Sequence, residues 1–477
     1  MATNLINRLR PLIPYLLFFG FASLFGLSRS WEGMLDGDSL WFTIVAKNIL
    51  ANKDWIILTY RGNPWLDHPP LCFWILALLF KLFGVNIYVA KLMNVLFFGG
   101  VLSILYLFGR RLKDERAGIL AALIFAFTPQ VITYIGRVRL DYPLIFFITL
   151  AVFAFYLGIT KSRRYFWLYA FATTGALLSK GAPGIAPILI SCGTLLLLKK
   201  WRDLFSFQFI GANFLILFLI FTWILLIIQN GGGGLLTSHL KYQIFSSVFH
   251  ARGGTEYPSF WYLLGIIFTR GAPWSWLALI GGGLIARSWI NNRKLDERVL
   301  LVLWAIVIYL GFSIPKFKFS YYILPIYVPL ALLAAPLLVR FFTFQKLIRV
   351  ATGGLIGISI IIAVFPIPIR KTRGQEITPI LPVIQSHLKQ YNIRELLVTD
   401  IDPILENNIY QLLAVSVDPG IRVRNMSREE FIDPVPQIRV SLMPISTWDF
   451  LKREDKRLSL LALSSSLALV TNQEVSE

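Results

Sequence analysis

Residues 206–228 read SFQFIGANFLILFLIFTWILLII, a run with no charged side chain. At 1.5 Å per residue, a helix of this length crosses the ~30 Å hydrocarbon core of a bilayer. Similar runs recur at 11–29, 86–109, 117–136, 142–160, 165–179, 181–198, 261–287, 299–315, 320–339 and 347–366, which makes about eleven candidate spans. Those at 165–179 and 299–315 are short. Arg270 interrupts 261–287, so that stretch reads as an interfacial helix followed by a span. Composition agrees: 56% of the 477 residues are hydrophobic and 15% charged, whereas a soluble chain carries about a quarter charged residues. Solid runs rather than short alternating segments exclude a membrane barrel. The expected fold class is a polytopic α-helical membrane protein.

The net charge of +20 would point to nucleic acid in a soluble chain. Here the basic residues collect between spans, at 110–116, 161–164, 199–202, 287–298 and 340–349, and no nucleic-acid motif is present. With the N-terminus inside, all five connections are cytoplasmic, as the positive-inside tendency requires. The other side then receives the loops 30–85, 137–141, 229–260 and 315–319, the turn at Lys180 and the C-terminal tail. Arg8 and Arg10 precede the apolar run from Pro11 to Leu27, the order found in a signal peptide. The run is long and lacks a small-x-small cleavage site, so it reads as an uncleaved first span. Cys72 and Cys192 are far apart in apolar sequence, which implies neither a disulfide nor a zinc cluster.

Two regions follow: a membrane domain over 1–366, and a tail over 370–477 whose short apolar runs at 396–398, 409–415 and 458–470 predict a small α/β domain on the outer side. The loop 30–85 is the part of the membrane domain that looks built for chemistry. Within 38–50, Leu40, Trp41, Ile44, Val45 and Ile49 fall on one half of a helical wheel, interrupted by Asn48, and predict a weakly amphipathic interfacial helix. Asp38 stands at its start, as an N-cap or as a functional carboxylate; Asp36 precedes it. Arg137, Arg139 and Asp141 occur together between two spans, as an ordinary ion pair or as a second acidic group facing the same cavity. Lys180, Lys316 and Lys318 lie on the side that positive-inside logic would leave free of lysine. A phosphate or lipid headgroups would account for them. His68, His239 and His250 show no metal-ligand spacing.

The ordered segments Asp38…Ala46-Lys47…Leu50…Asp54-Trp55, Asn63-Pro64…Asp67-His68-Pro69-Pro70-Leu71…Trp74, Leu140-Asp141-Tyr142-Pro143, Ser179-Lys180-Gly181, Pro273-Trp274-Ser275 and Lys316…Lys318…Tyr321-Tyr322…Pro325 resemble the membrane glycosyltransferases of the GT-C fold. The closest branch is that of aminoarabinose transferases, with protein O-mannosyltransferases more distant. The resemblance covers about residues 10–340. It implies a polyprenyl-phosphate-linked sugar donor, used on the extracytoplasmic side of the cell (inner) membrane. Asp38 matches the family's catalytic acidic residue and Asp141 the second acidic residue near the sugar. Lys180, Lys318 and Tyr322, with Arg61, Arg137 and Arg139 nearby, would contact the donor phosphate; Asp67 and His68 would contact substrate. A divalent metal on Asp67 and His239 is also implied. The chain departs from its relatives in having Ser39 after the aspartate, Trp41 where an arginine is common, and Asp67-His68 in place of Glu-Lys.

The implied reaction is an inverting single displacement. The sugar passes to an acceptor hydroxyl or phosphate; Asp38 acts as general base on the hydroxyl, while cations stabilise the departing polyprenyl phosphate. The acceptor is a lipid, glycan or protein. The alternative is a transporter or flippase of a lipid-linked sugar. The absence of repeated halves and the crowding of polar residues on one side favour the enzyme. A non-catalytic scaffold leaves the acidic pair unexplained.

Overall fold

The computed structural model describes residues 10–27, 37–241, 259–292, 296–316, 318–364, 380–390, 395–401, 422–428, 431, 439–454, 458–464 and 466–472. Asp36, His250 and the apolar run at 409–415 lie outside them.

The helices of the bundle are α1 (Ile13–Leu27), α2 (Gly37–Asn52), α3 (Leu71–Phe83), α4 (Ile87–Leu112), α5 (Glu115–Ala126), α6 (Pro129–Ile135), α7 (Asp141–Thr160), α8 (Tyr165–Lys180), α9 (Ala186–Leu197), α10 (Phe207–Gln229), α11 (Tyr262–Arg270), α12 (Trp274–Asn292), α13 (Val299–Ser313), α14 (Tyr327–Leu338) and α15 (Phe344–Val364). Among the described residues, four stretches are helical, long and apolar enough to cross a membrane, or six if each bent pair counts as one span. The stretch 117–136 is one such pair: α5 and α6 meet at 64°, where Pro129 cannot donate to the helical ladder. The other is 261–287, where α11 and α12 turn by 104° just after Arg270, as the position of that charge led one to expect. Local capping sets several starts. Asn86 accepts from the Tyr88 and Val89 amides at the head of α4, Asp114 from the Ala117 amide at α5, and Ser206 from the Phe209 amide at α10. Phe214, Leu217 and Phe221 point outward from α10, a face suited to lipid.

The basic connections gather at one end. Lys200 pairs with Glu297 at 2.9 Å and also reaches the Ile159 carbonyl. Arg163 pairs with Asp203 at 2.9 Å, and Lys113 donates to the Pro336 carbonyl at 2.9 Å. Tyr156 lies within charge range of both Arg111 and Glu297. Because α7 begins at Asp141 and ends at Thr160, about 30 Å of helix separates these connections from the 137–141 loop.

At the other end, α2 begins at Gly37, so the expected helix is present with Asp38 in its first turn. It is buried on more than the expected half: Phe42, Thr43, Ala46 and Asn48 are covered as well. Phe42 packs against His68 and Phe73, and Asn48 donates to the Thr59 carbonyl at 2.9 Å. Strands β3 (Glu395–Val398), β4 (Arg422–Asn425), β5 (Val440–Pro444), β6 (Ser459–Leu463) and β7 (Leu467–Thr471) follow a short hairpin of β1 (Thr59–Tyr60) and β2 (Asn63–Pro64). They form one sheet in the order β4-β3-β5-β7-β6, with β3 parallel to β4 and β5, and β7 antiparallel to its neighbours. Leu40, Val45, Ile49, Phe73 and Leu76 share one core with Ile384, Leu396, Leu442 and Leu469. Val423 of β4 packs on Ile44. The run 458–470, too short to span, is thus the β6–β7 hairpin.

Helices α4 and α5 cross without side chains between them at Gly109 and Gly118. A Cβ on Gly118 would lie 2.3 Å from the Tyr106 carbonyl oxygen, which is backbone and cannot give way. Gly118→Val is therefore expected to destabilise the bundle by at least 1–3 kcal/mol. Thermal unfolding in detergent should register the loss; a midpoint equal to that of the unaltered protein would contradict the close crossing.

Candidate active site

Four segments distant in the chain bring their polar ends together. The start of α2 supplies Asp38. The 137–141 loop supplies Arg139 and Asp141, the end of α8 supplies Lys180, and the 320–322 turn supplies Tyr321 and Tyr322. The Arg139 guanidinium lies between the two carboxylates. Its Nη1 donates to Asp38 Oδ2 at 3.2 Å and its Nε to Asp141 Oδ2 at 3.2 Å. The second Asp141 oxygen accepts from Lys180 Nζ at 2.5 Å. The Tyr321 ring covers the guanidinium at 3.7 Å, and the Tyr322 ring stands 4.8 Å from Lys180 Nζ. Formal charges in this quartet sum to zero.

The two carboxylates differ in access. The Asp141 side chain is 3% exposed and the Asp38 side chain 47%. Asp141 is committed to two cations in a dry setting, where an unpaired charge would be costly. Asp38 shares the same guanidinium but presents itself to the space above the site.

The surrounding backbone is held by side chains. Ser39 Oγ accepts from the Val138 amide at 3.1 Å and donates to the Val138 carbonyl at 3.2 Å. Asn94 of α4 donates to the Arg137 carbonyl. Gln130 of α6 donates to the Ser320 carbonyl at 2.8 Å and accepts from Arg270 at 3.1 Å. Tyr134 bonds to the Ser320 hydroxyl at 3.0 Å, and Arg137 lies over its ring at 5.2 Å.

His68 is within charge range of Lys180, His239, Asp141 and Arg139, and packs edge-on against Phe42 and Trp65. Burial, then the Lys180 charge, push its pKa down to about 3, so it stays neutral. Lys318 is 7% exposed, donates to the Ser313 carbonyl at 2.7 Å, and meets no carboxylate among the described residues. Burial lowers its pKa. Arg61 stands at the exposed turn of the β1–β2 hairpin, in the left-handed region at φ 51°. Asp54, part of the first-loop motif, accepts from the Ile56 and Ile57 amides and shapes a turn. Ser39, Asn94, Gln130, Tyr134 and Tyr321 are site residues that the sequence reading did not select. In the sequence Ser39 stood out as a departure beside Asp38, and Tyr321 as part of the Tyr321-Tyr322 motif, neither with a role.

The metal implied on Asp67 and His239 can be tested against the donors present. Asp67 is close enough to act on the His239 charge. His239 Nδ1 faces the Leu66 carbonyl oxygen at 2.7 Å. That carbonyl can only accept, so Nδ1 carries the proton and Nε2 is left as a donor to metal. Among the described residues, however, no group of three or more His, Cys, Asp or Glu is arranged to hold an ion. Two protein donors fall short of the three or four that hold zinc. The described residues do not fit such a centre, and no step below runs through one.

Residues 67–227 match the family model described as dolichyl-phosphate-mannose-protein mannosyltransferase. An uncharacterized protein of Aquifex aeolicus is 26% identical over 73% of this chain and 68% of its own length. The undecaprenyl phosphate-alpha-4-amino-4-deoxy-L-arabinose arabinosyl transferase of Pseudomonas aeruginosa is 23% identical over 72% of this chain and 63% of its own length. The chain therefore spans somewhat under two thirds of that transferase. Crystalline ArnT from Cupriavidus metallidurans, bound to undecaprenyl phosphate, superposes with a TM-score of 0.71 at 16% identity, covering 99% of this chain and 98% of the other. The archaeal oligosaccharyltransferase AglB from Archaeoglobus fulgidus superposes at 0.54 with 13% identity, over 93% and 70% of the two chains. Superposition over nearly the whole of both chains bears out the membrane GT-C fold that the ordered motifs implied.

The neutrality of His68 has a thermodynamic consequence. In the unfolded chain it binds a proton below pH 6.5; in the folded chain it does so only near pH 3. Between those values the unfolded state binds more protons, so stability falls as pH falls. From pH 7 to pH 5 this amounts to about 2 kcal/mol. His68→Gln should flatten the acid side of a stability-versus-pH curve measured by thermal unfolding. An undiminished slope would contradict a neutral imidazole at this half-buried position.

Proposed function

We propose that this integral membrane protein of the GT-C fold is a glycosyltransferase that moves a pentose or hexose from a polyprenyl-phosphate donor to an acceptor hydroxyl or phosphate. The reaction takes place at the end of the bundle opposite the basic connections, on the extracytoplasmic side of the inner membrane. The observation that carries this reading is the sharing of one guanidinium by Asp38 and Asp141, with unequal exposure of the two carboxylates. The likeness to an arabinosyl transferase and to undecaprenyl-phosphate-bound ArnT supports the choice of donor.

The unequal exposure separates the roles. Asp38, the accessible carboxylate, removes the proton from an acceptor hydroxyl. The acceptor oxygen then bonds to the anomeric carbon from the face opposite the leaving group. The bond from that carbon to the phosphate oxygen breaks, and its electron pair departs with the polyprenyl phosphate. The anomeric configuration inverts. Asp141 holds Lys180 and Arg139 in place and sets the field at the sugar, where positive charge develops. An acceptor phosphate is already ionised, and Asp38 then orients it.

Charge balance reassigns the expected phosphate contacts. Arg139 and Lys180 are already neutralised by the two carboxylates. The phosphate must therefore draw on other cations, and Lys318, buried against a neutral carbonyl, is the first of these. A phosphate in reach of its ammonium would supply the missing counter-charge.

Purified protein in vesicles, supplied with undecaprenyl-phosphate-linked aminoarabinose or dolichyl-phosphate-linked mannose and a membrane extract as acceptor source, should transfer labelled sugar. Asp38→Asn should lower kcat by 10² or more with an unchanged melting point. Asp141→Asn should lower the melting point as well, since stranding a buried ion-pair partner costs about 3–5 kcal/mol. Lys318→Gln should raise KM for the donor more than it lowers kcat. Transfer at full rate by Asp38→Asn would remove that residue from its role. Movement of the donor across the bilayer without any transfer would replace the enzyme by a flippase.

A further inference from the structure

We infer that Ser39 is a positioning residue: its hydroxyl fastens the start of α2 to the 137–141 loop and so fixes Asp38 against Arg139. The inference rests on the glycosyltransferase reading and deepens it. Ser39 directly follows Asp38, and Val138 directly precedes Arg139. Two cross-links thus run side by side between segments a hundred residues apart. One is the ion pair from Asp38 Oδ2 to Arg139 Nη1 at 3.2 Å. The other is the Ser39 hydroxyl, which engages both backbone polar groups of Val138 at 3.1 and 3.2 Å.

The chemistry of the side chain matters. A hydroxyl donates one hydrogen bond and accepts others, so a single atom can satisfy an N–H and a C=O together. A carboxylate in this place would only accept when ionised. An alanine would leave two backbone groups of a buried loop without these partners. Ser39 is fully buried, and Thr43 Oγ1 bonds to the Ser39 carbonyl at 2.7 Å, so the backbone that carries the hydroxyl is itself tied down.

An ion pair alone does not fix geometry. Arg139 has several N–H groups and could keep contact with Asp38 over a range of positions. With the backbone of residue 138 clamped to that of residue 39, the range narrows to one arrangement, in which Arg139 also meets Asp141. A displacement of about 1 Å between a catalytic group and its reacting partner can cost 10²-fold in rate. The clamp therefore acts on turnover through Asp38.

Ser39→Ala in the full-length protein tests this, because it removes only the hydroxyl. Turnover is read with the two donors named above, and hydrogen exchange is followed by mass spectrometry. The expected result is a 10- to 100-fold lower kcat, a donor KM within about threefold, and faster exchange in the peptide containing Val138 with α7 and α8 unchanged. In the Asp38→Asn background, Ser39→Ala should cause little further loss, because a residue that works through Asp38 has nothing left to position. Three results would overturn the inference: unchanged exchange at Val138, unchanged kcat, or a full additional loss in the Asp38→Asn background. Silence of the unaltered protein with both donors would instead remove the glycosyltransferase reading, and the catalytic part of this inference with it. An active parent with an unaltered Ser39→Ala turnover removes the inference alone.

Discussion

One guanidinium held between two carboxylates is the contact on which the site depends. Asp141 is almost completely removed from solvent, and an isolated carboxylate there would not remain ionised. Arg139 and Lys180 keep it charged, and Arg139 is in turn kept in place by Asp38 and by the Tyr321 ring. Each member answers a desolvation cost imposed by another. Its members come from segments far apart in the chain, so the network is assembled by the fold rather than by local sequence.

The membrane helices supply that assembly. The parts of the quartet arrive from the head of α2, the loop before α7, and the tail of α8. Each is an element terminus, where backbone groups are unsatisfied and the chain turns. The bundle answers those unsatisfied groups with side chains. Ser39 and Asn94 hold the 137–138 backbone, and Gln130 holds Ser320. The neutral sum of the quartet matters too: a cluster already balanced in charge exerts no net pull on an anion.

Much of this was legible in the residues themselves. The charge-free run at 206–228 is a spanning helix. The helix beginning near Asp38 and the break after Arg270 are where periodicity and charge put them. What pattern could not show was distance. Asp38 and Arg139 are separated by a hundred residues, and no spacing rule links them; only the packing of α2 against the 137–141 loop does. For the same reason Lys180 read as a free cation awaiting phosphate, while the structure pairs it with Asp141. The apolar helix α3 was hidden within the 30–85 loop because 13 residues are too few to span a bilayer. The neutral state of His68 follows from burial, which a lone histidine in a loop does not announce. The fuller burial of α2 comes from His68, Phe73 and the Thr59 carbonyl, and the core it belongs to extends to strands more than 340 residues downstream.

That last dependence reaches into biosynthesis. The strand β7 (Leu467–Thr471) lies inside the sheet, between β5 and β6, and Leu467 and Leu469 belong to the same core as Leu40, Val45 and Ile49 of α2. Some four hundred residues must be translated after α2 before that cover exists, on the order of half a minute or more at ordinary elongation speed. Throughout that interval the core that the helix bearing Asp38 shares with the sheet is incomplete. A ribosome that stalls short of the last strand leaves behind a nearly full set of spans beside an unfinished sheet.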